Sequence, residues 1–459
     1  MIRLFHAYFP VRTVLLSLTE AILLAAGFLL AVLITAGTPV NADIFLLYEN
    51  GIARIALVVA VVLTLIYYFD LYDAFVLTNR REVFTRLVGV LGCTLLALGF
   101  LYYTFPAVHL SGTVLWVGIL LACIALPAWR ECFFFLNRSA RFAEHAVIFG
   151  GGALAGLLVD EIRRRPELGV RIDGFVGQGL QFPGMPCVDR QDLAEFIRTK
   201  GIRRVLVTMA DRRGKLPVDS LLELKAGGIQ IQDGSEYYEG ITGKIDLDSL
   251  RLSWLLFSPG FHVRAPLRFY KRVFSVVLAS LALVLLAPLM AVIAIAIRLD
   301  SKGPAIFRQA RVGENGKIFM MYKFRSMRDG SEKAQLRPAG AEDQRITRLG
   351  KWLRPPRLDE LPQLINIVKG DMAFVGPRPF VPEQEEEYTT AIPFYRQRWL
   401  VKPGATGWAQ INRGYNVTLE DNREKLSYDL FYIKNISVGL DLYILLATAK
   451  ILLLGRGGR

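Results

Sequence analysis

The sequence predicts a membrane protein of α + α/β class: four N-terminal transmembrane helices, a Rossmann-like α/β domain, and a re-entrant membrane helix leading into an α-rich cytosolic domain. Three observations carry this. Apolar residues make up 53% of the 459 and gather in long runs instead of spreading over the chain. Between the fourth and fifth runs, short apolar stretches alternate with amphipathic ones and open on a glycine turn. The fifth run has basic residues on both flanks, where a spanning helix shows an asymmetry.

The first four runs cover 14–36, 55–69, 87–105 and 114–127. The second and fourth are short, but span if flanking aromatics sit in the interface. Arg3 and Arg12 precede the first run, Arg80, Arg81 and Arg86 precede the third, and Arg130, Arg138 and Arg141 follow the fourth. The loops at 37–52 and 106–111 hold no Lys or Arg. The positive-inside rule therefore makes residues 1–142 a four-helix module with both ends cytoplasmic, in a multi-pass protein of the inner (cytoplasmic) membrane. Glu20, inside the first run, is expected to snorkel or to pair within the bundle. The first run is too long for a signal-peptide core, and no cleavage site follows. Cys93, Cys123, Cys132 and Cys187 show no CxxC spacing, which argues against a zinc site or a disulfide frame. A net charge of +14 favours polyanionic partners. In a membrane protein these are anionic lipid and phosphorylated substrates, with no nucleic acid expected.

Residues 143–255 read as the Rossmann-like domain. Gly150, Gly152 and Ala155 fit GxGxxA after the strand "AVIFG" and before an amphipathic helix, the setting of a nucleotide-binding turn. "RRVLVTM" and "IQIQD" supply further strands around the helical "LPVDSLLELKAGG". The acid expected at the end of the second strand is missing. "RIDGFVGQ" ends in Gly177 and Gln178, and Asp173 lies early in it. A regulatory nucleotide site or an assembly role fits better than redox chemistry.

The fifth run, 273–297, opens the segment 264–459. Arg264, Arg268, Lys271 and Arg272 lie before it, and Arg298, Lys302, Arg308 and Arg311 after it. Pro288 removes a backbone hydrogen bond past its middle. A helix that enters one leaflet, bends and returns satisfies both facts and leaves the rest of the segment cytoplasmic. The last apolar stretch, 436–458, is interrupted by Asp441 and Lys450 and reads as an interfacial helix.

The chemistry concentrates in 298–414. "RPPRLDELPQL" sets Asp359 and Glu360 side by side among Arg354, Arg357 and Arg378, and "KPGATG" follows as a glycine turn after a basic residue. Adjacent carboxylates in a basic setting suit phosphoryl transfer: one attacks phosphorus while the other binds a divalent cation through oxygen. Arginines neutralise the transferring phosphate. Pro362 allows a helix to start just after the pair. The acidic run 383–387 reads as a solvated helix face, and 328–335 and 337–352 as surface loops and helices. His262 and the other histidines show no metal spacing.

These pieces carry a resemblance. "KR" at 271–272, "DSKGPAIFRQARVG", "KFRSM", "RLDELPQL", "NIVKGDM", "VGPRP" and "KPGATG" occur in the order of the bacterial sugar transferase domain of the monotopic phosphoglycosyl transferases, over 268–454. With the preceding spans and α/β domain, the chain resembles the large polyprenyl glycosylphosphotransferases of exopolysaccharide and O-antigen synthesis, and is similar to their exosortase/PEP-CTERM-associated type. The resemblance implies transfer of a sugar-1-phosphate, glucose or galactose foremost, from a UDP-sugar to undecaprenyl phosphate. Asp359 matches the nucleophile that releases UMP and holds the sugar phosphate covalently, and Glu360 the carboxylate linked to Mg2+. Arg354 and Arg378 match arginines at the phosphates; Lys323 and Arg325 lie in the matching "KFRS", and Arg357 joins this phosphate-binding set. Lys271 and Arg272 match a basic pair at the membrane interface, and Pro288 the proline of a re-entrant hairpin. The chain departs from the family at Ser275, Ala287, Arg357 and Ala373, where Asp, Ser, Ser or Thr, and Ser are usual. Membrane lipids and a second copy of the chain are the remaining expected partners. Two alternatives compete: a non-catalytic scaffold of an export complex, and a nucleotide-sugar dehydratase or epimerase. The latter needs a YxxxK pair that Tyr237 and Tyr238, followed by "EGITGK", do not supply.

Overall fold

The computed structural model describes residues 2–4, 7–72, 80–138, 143–177, 182–209, 216–250, 260–261, 265–327, 345–413 and 418–453. His262 and the stretch 328–335 lie outside them. The chain forms two units, one built on Phe9–Gly234 and one on Ser235–Arg459.

In the first unit the apolar runs become helices α1 (Val11–Ala36), α2 (Gly51–Tyr68), α3 (Arg80–Thr104) and α4 (Gly112–Arg138). Each is long and apolar enough to cross a bilayer. All reach beyond their runs, and α4 continues through Pro127 for three more turns. Leu24, Phe28, Val58, Val62, Leu87, Val90 and Leu126 form the core between them. Glu20 pairs inside this core, as its position predicts. Arg130 donates to it at 2.6 and 3.1 Å and to Leu71 O at 2.9 Å, and the Tyr72 hydroxyl donates at 2.8 Å. Arg130 is 1% exposed, so it is a bundle residue and drops out of the positive-inside tally.

The same unit carries a parallel sheet of β1 (Glu144–Phe149), β2 (Val170–Val176), β3 (Arg204–Val207) and β4 (Gln230–Asp233), in the order β2-β1-β3-β4. Helices α5 (Ala153–Arg164), α6 (Leu193–Lys200) and α7 (Val218–Ala226) intervene. The chain order reverses between β1 and β3, and the glycine turn follows β1 there. Gly150 has φ +115°, and a Cβ on it would come within 2.8 Å of Met209 N, so only glycine fits. Gly152, at φ +100°, precedes α5, and Ala155 is buried on its inner face. Asp173 sits mid-strand and is taken by His145 (2.5 Å) and Arg171 (3.2 Å), away from the turn. Gln178 lies outside the described residues.

The second unit begins with α8 (Gly234–Thr242) and the segment up to 250, which the sequence assigns to the α/β domain. Here that assignment is corrected. Glu239 accepts from Lys434 and Asn435, Trp408 Nε1 donates to Gly243 O, and Ile245 N to Ser427 O. Then α9 (Ala265–Asp300) runs 36 residues, about 54 Å at 1.5 Å per residue. Pro288 lies within this continuous helix, not between two shorter ones. Ser275, Ala279, Ile293 and Ile297 are buried, whereas Val277, Leu281, Leu285, Val292 and Ile295 leave an apolar face open along its length. An antiparallel hairpin of β5 (Ile306–Val312) and β6 (Ile318–Phe324) follows. Among the elements that follow are α10 (Arg348–Leu353), α11 (Gln363–Lys369), β7 (Ala373–Val375) paired parallel with β8 (Gly404–Thr406), α12 (Pro382–Ala391), α13 (Leu419–Lys434) and α14 (Val438–Leu453). One face of α9 is buried against Met321, Leu364, Ile367 and Met372 near its middle, and against Phe324 and Leu353 near its end.

Candidate active site

Asp359 and Glu360 lie in one tight turn, Leu358–Glu360, between α10 and α11. Arg357 enters that turn at φ +56°, a left-handed conformation costing a non-glycine residue about 1 kcal/mol or more. The turn is thus held by its surroundings. Its Glu360 N donates to Arg357 O at 3.0 Å. Asn366 of α11 accepts from Tyr322 N (3.0 Å) and donates to Met320 O (2.7 Å), clamping the hairpin onto the helix. That clamp presents Lys323 of β6 to the turn. Arg378, just beyond β7, arrives from the other side. Gly376 beside it admits no side chain, because a Cβ would come within 2.4 Å of Lys402 O.

Three cations converge on Glu360. Lys323 Nζ donates to Oε1 at 2.9 Å, Arg378 Nη2 to the same oxygen at 2.7 Å, and Arg357 Nη1 stands 3.9 Å from Oε2. Burial pushes the Glu360 carboxyl up, but the charges of Arg378 and Lys323 and the Arg378 hydrogen bond outweigh it and hold the group well below the usual range. Asp359, 9% exposed, goes the other way. Burial, with the Glu360 charge adding and Lys323, Arg354 and Arg378 opposing, lifts it to about 6. The two neighbouring carboxyls thus sit in unlike environments, Glu360 held as an anion and Asp359 made more basic. Arg354 completes the surroundings with Nη1 buried and unpartnered among the described residues. Basic side chains gathered on a carboxyl pair suit an anionic, phosphate-bearing ligand.

The structure separates the other expected site residues from this cluster. Arg325 is 6% exposed and donates to Ser301 O and Oγ at 2.6 and 2.9 Å, so it braces the loop after α9. Lys271 binds Asp441 at 2.8 Å and the Tyr432 hydroxyl, and Arg272 donates to Ile367 O and Val368 O at 2.6 and 2.7 Å. Neither of this basic pair reaches outward. Gly150, Gly152 and Ala155 belong to the first unit. Glu385, read as part of a solvated face, is 3% exposed and bonds Arg398 and Trp399. Sequence reasoning missed this Arg398 network altogether: its partners Glu385, Tyr395 and Asp429 share no motif or spacing.

A family profile described as bacterial sugar transferase matches residues 267–455, covering α9 through α14. A protein of Klebsiella pneumoniae named UDP-glucose:undecaprenyl-phosphate glucose-1-phosphate transferase is 34% identical over 322 residues, 68% of each chain. The chain belongs to the bacterial sugar transferase family. A UDP-N-acetylgalactosamine-undecaprenyl-phosphate N-acetylgalactosaminephosphotransferase of Aeromonas hydrophila is 42% identical over 224 residues, 48% of this chain. This chain spans about half of that relative's length, 52%. An undecaprenyl-phosphate galactose phosphotransferase of Salmonella typhimurium is 39% identical over 201 residues, 40% of this chain and 41% of its own. Residues 67–223 match a profile described as a CoA-binding domain.

Proposed function

We propose that this chain is a phosphoglycosyl transferase that moves a sugar-1-phosphate from a UDP-sugar to undecaprenyl phosphate through a phosphoaspartate. The observation that carries the reading is the split carboxyl pair inside a cage of Lys323, Arg354, Arg357 and Arg378. The Asp359 carboxylate attacks the β-phosphorus of the donor; the bond from that phosphorus to the oxygen bridging the α-phosphate breaks, and UMP leaves. The sugar phosphate stays on Asp359 as an acyl phosphate. An oxygen of undecaprenyl phosphate then attacks the same phosphorus, the bond to Asp359 breaks, and the carboxylate is regenerated. Arg378 and Lys323, ordered on Glu360, face the charge that spreads over the phosphoryl oxygens, and Arg354 offers an Nη1 that is unpartnered among the described residues.

A magnesium ion fits this donor set. Mg2+ is commonly held by one or two carboxylates together with substrate phosphates, and Glu360 offers a carboxylate beside the place where a diphosphate would meet Lys323, Arg354 and Arg378. Glu360, with the donor's diphosphate, would hold it, and it would neutralise phosphate charge. No group of three acidic, His or Cys residues among the described residues offers a cage independent of substrate.

The open face of α9 supports a seat in the cytoplasmic leaflet. Both the 271–272 end and the 293–297 end of the helix pack on the same unit, which suits immersion along one side better than a straight crossing. A lipid acceptor and a water-soluble donor then meet at the interface. Glucose, galactose and N-acetylgalactosamine are the donors to try first, from the relatives' names. A nucleotide role for Gly150, Gly152 and Ala155, and a homodimer, remain part of the proposal.

The test is UMP release from a panel of UDP-sugars with undecaprenyl phosphate and Mg2+. Release by wild type and not by Asp359→Asn, with label from a β-32P donor retained on wild-type protein when acceptor is withheld, is the expected result. UMP formed only when acceptor is present, with no labelled protein, would replace the covalent route with direct attack by the lipid phosphate.

A further inference from the structure

Helix α11 carries the catalytic turn at its start, and its other end is closed by cations from two distant segments. The last carbonyls of a helix lack intrahelical donors and accept from whatever cation is near. Arg272, near the start of α9, gives one guanidinium nitrogen to Ile367 O (2.6 Å) and another to Val368 O (2.7 Å). Lys402, ahead of the "PGATG" turn, donates to Gly370 O at 2.6 Å. Gly370 follows α11 at φ +97°, and a Cβ there would stand 3.2 Å from Arg272 Cζ. The glycine therefore serves both the left-handed turn and the approach of the guanidinium. Ala279, two turns further along α9, is buried in the core that holds Leu364 and Ile367, so helix and clasp register α11 from the same side.

We infer that Arg272 is a positioning residue that couples the seating of α9 in the membrane to the placement of Asp359 and Glu360, with Lys402 as its partner. This rests on the role proposed above for the two carboxylates. A basic residue at a membrane helix start is ordinarily assigned to lipid headgroups. Both terminal nitrogens of Arg272 are instead committed to backbone carbonyls of the helix that follows the catalytic turn. Displacement of α9 in the bilayer would pull on those carbonyls, eight and nine residues from Asp359. Arg272 touches neither carboxylate, and its loss acts through the tilt of α11.

The experiment uses the full chain in lipid nanodiscs of low and high anionic lipid content, with Arg272→Gln, Arg272→Lys and Lys402→Gln. Arg272→Gln should lower kcat for UMP release about 10- to 100-fold, the scale of a small misplacement of reacting groups, with KM for the UDP-sugar within about threefold. Backbone hydrogen exchange should speed up in the peptide spanning 358–370, equally in both lipid mixtures. Arg272→Lys, which can still reach one carbonyl, should recover part of kcat, and Lys402→Gln should give a milder form of the same pattern. Unchanged exchange at 358–370, or a kcat defect that follows anionic lipid content, would overturn the inference and make Arg272 a headgroup contact. If Arg272→Gln does not fold, Lys402→Gln alone decides on the same two readouts. An active Asp359→Asn would sink the carboxylate reading, while the exchange data would still report whether the clasp holds α11.

Discussion

Two charged clusters sit in the second unit and differ in one respect: one is finished and the other is not. Around Arg398 every guanidinium nitrogen has a partner: Nε meets Asp429 at 2.8 Å, Nη1 meets Glu385 at 3.3 Å and the Tyr395 hydroxyl at 2.6 Å, and Nη2 meets Arg378 O at 2.8 Å. The Arg398 side chain is 4% exposed, as closed as a core leucine. Around Asp359 and Glu360 the same ingredients stop short. Arg357 stands 3.9 Å from Glu360 Oε2, Arg354 keeps a buried Nη1 unpartnered among the described residues, and Asp359 is held above its ordinary range. Counting charges does not tell the staple from the site. Between these two clusters the difference lies in Arg354 Nη1, left unsatisfied among the described residues, and in the raised Asp359; a buried unpartnered nitrogen alone is no mark of a site, since the bracing Arg325 has two.

The sharpest way to break the comparison is to exchange a residue on each side. Asp359→Asn keeps the shape and removes the nucleophile, so UMP release should fall by about 10^3-fold or more, as for other covalent catalysts. A variant retaining a tenth of wild-type turnover would make the cluster a binding site and not a reaction centre. Arg398→Leu should do the reverse in kind. It leaves Glu385 and Asp429 buried without their cation, a loss on the order of 3–5 kcal/mol, seen as a large drop in melting temperature or in yield. A melting temperature unchanged within two degrees would mean that the closed cluster is not a staple.

Arg378 joins the two, since its guanidinium serves Glu360 while its backbone carbonyl is held by Arg398. Arg378→Lys keeps a charge near the phosphates and loses the fork. UMP release should drop about 10- to 100-fold, with little change in melting temperature. If stability falls as well, the Arg378 side chain is part of the staple and the boundary drawn here moves.

Legibility in the sequence follows the same division. The carboxylate pair with Arg354, Arg357 and Arg378 could be proposed from the residues, because phosphoryl chemistry needs those types close together and the chain keeps most of them in short motifs; Lys323 entered only through the resemblance of "KFRS". The five apolar helices and the parallel strands were readable because burial imposes a period or a run. Arg325 was misplaced: strand alternation would set it on the face of Lys323, two residues earlier, but β6 ends at Phe324, and beyond it Arg325 turns inward to brace Ser301. Glu385 was misread because one buried acid within an acidic run looks like its exposed neighbours. The burial of Glu385 depends on Arg398, 13 residues away, and Asp429, 44 away, which no local pattern links. The move of 235–250 into the second unit was hidden for a related reason. It rests on tertiary contacts such as Trp408 to Gly243, made across 165 residues.

The smallest expected effect is also the one most specific to an unfinished site. Burial, with Lys323, Arg354 and Arg378 opposing it and the Glu360 charge adding to it, raises Asp359 from an ordinary 3.8 to about 6 in the folded protein. A carboxyl raised on folding supports the fold fully while it is protonated in both states, below about pH 4. That support is lost as pH rises through 6, where the folded protein carries a charge its surroundings resist. A shift of this size corresponds to roughly 2–3 kcal/mol at most. Asp359→Asn should therefore melt higher than wild type at pH 7.5 in buffer with EDTA, and the two curves should converge as the pH falls from 6 to 4. The comparison must exclude divalent cations, because a bound ion would stabilise the carboxylate and shrink the gap. If the Asn variant instead melts lower at pH 7.5, the cations around Asp359 satisfy it fully. The second cluster would then be as closed as the first.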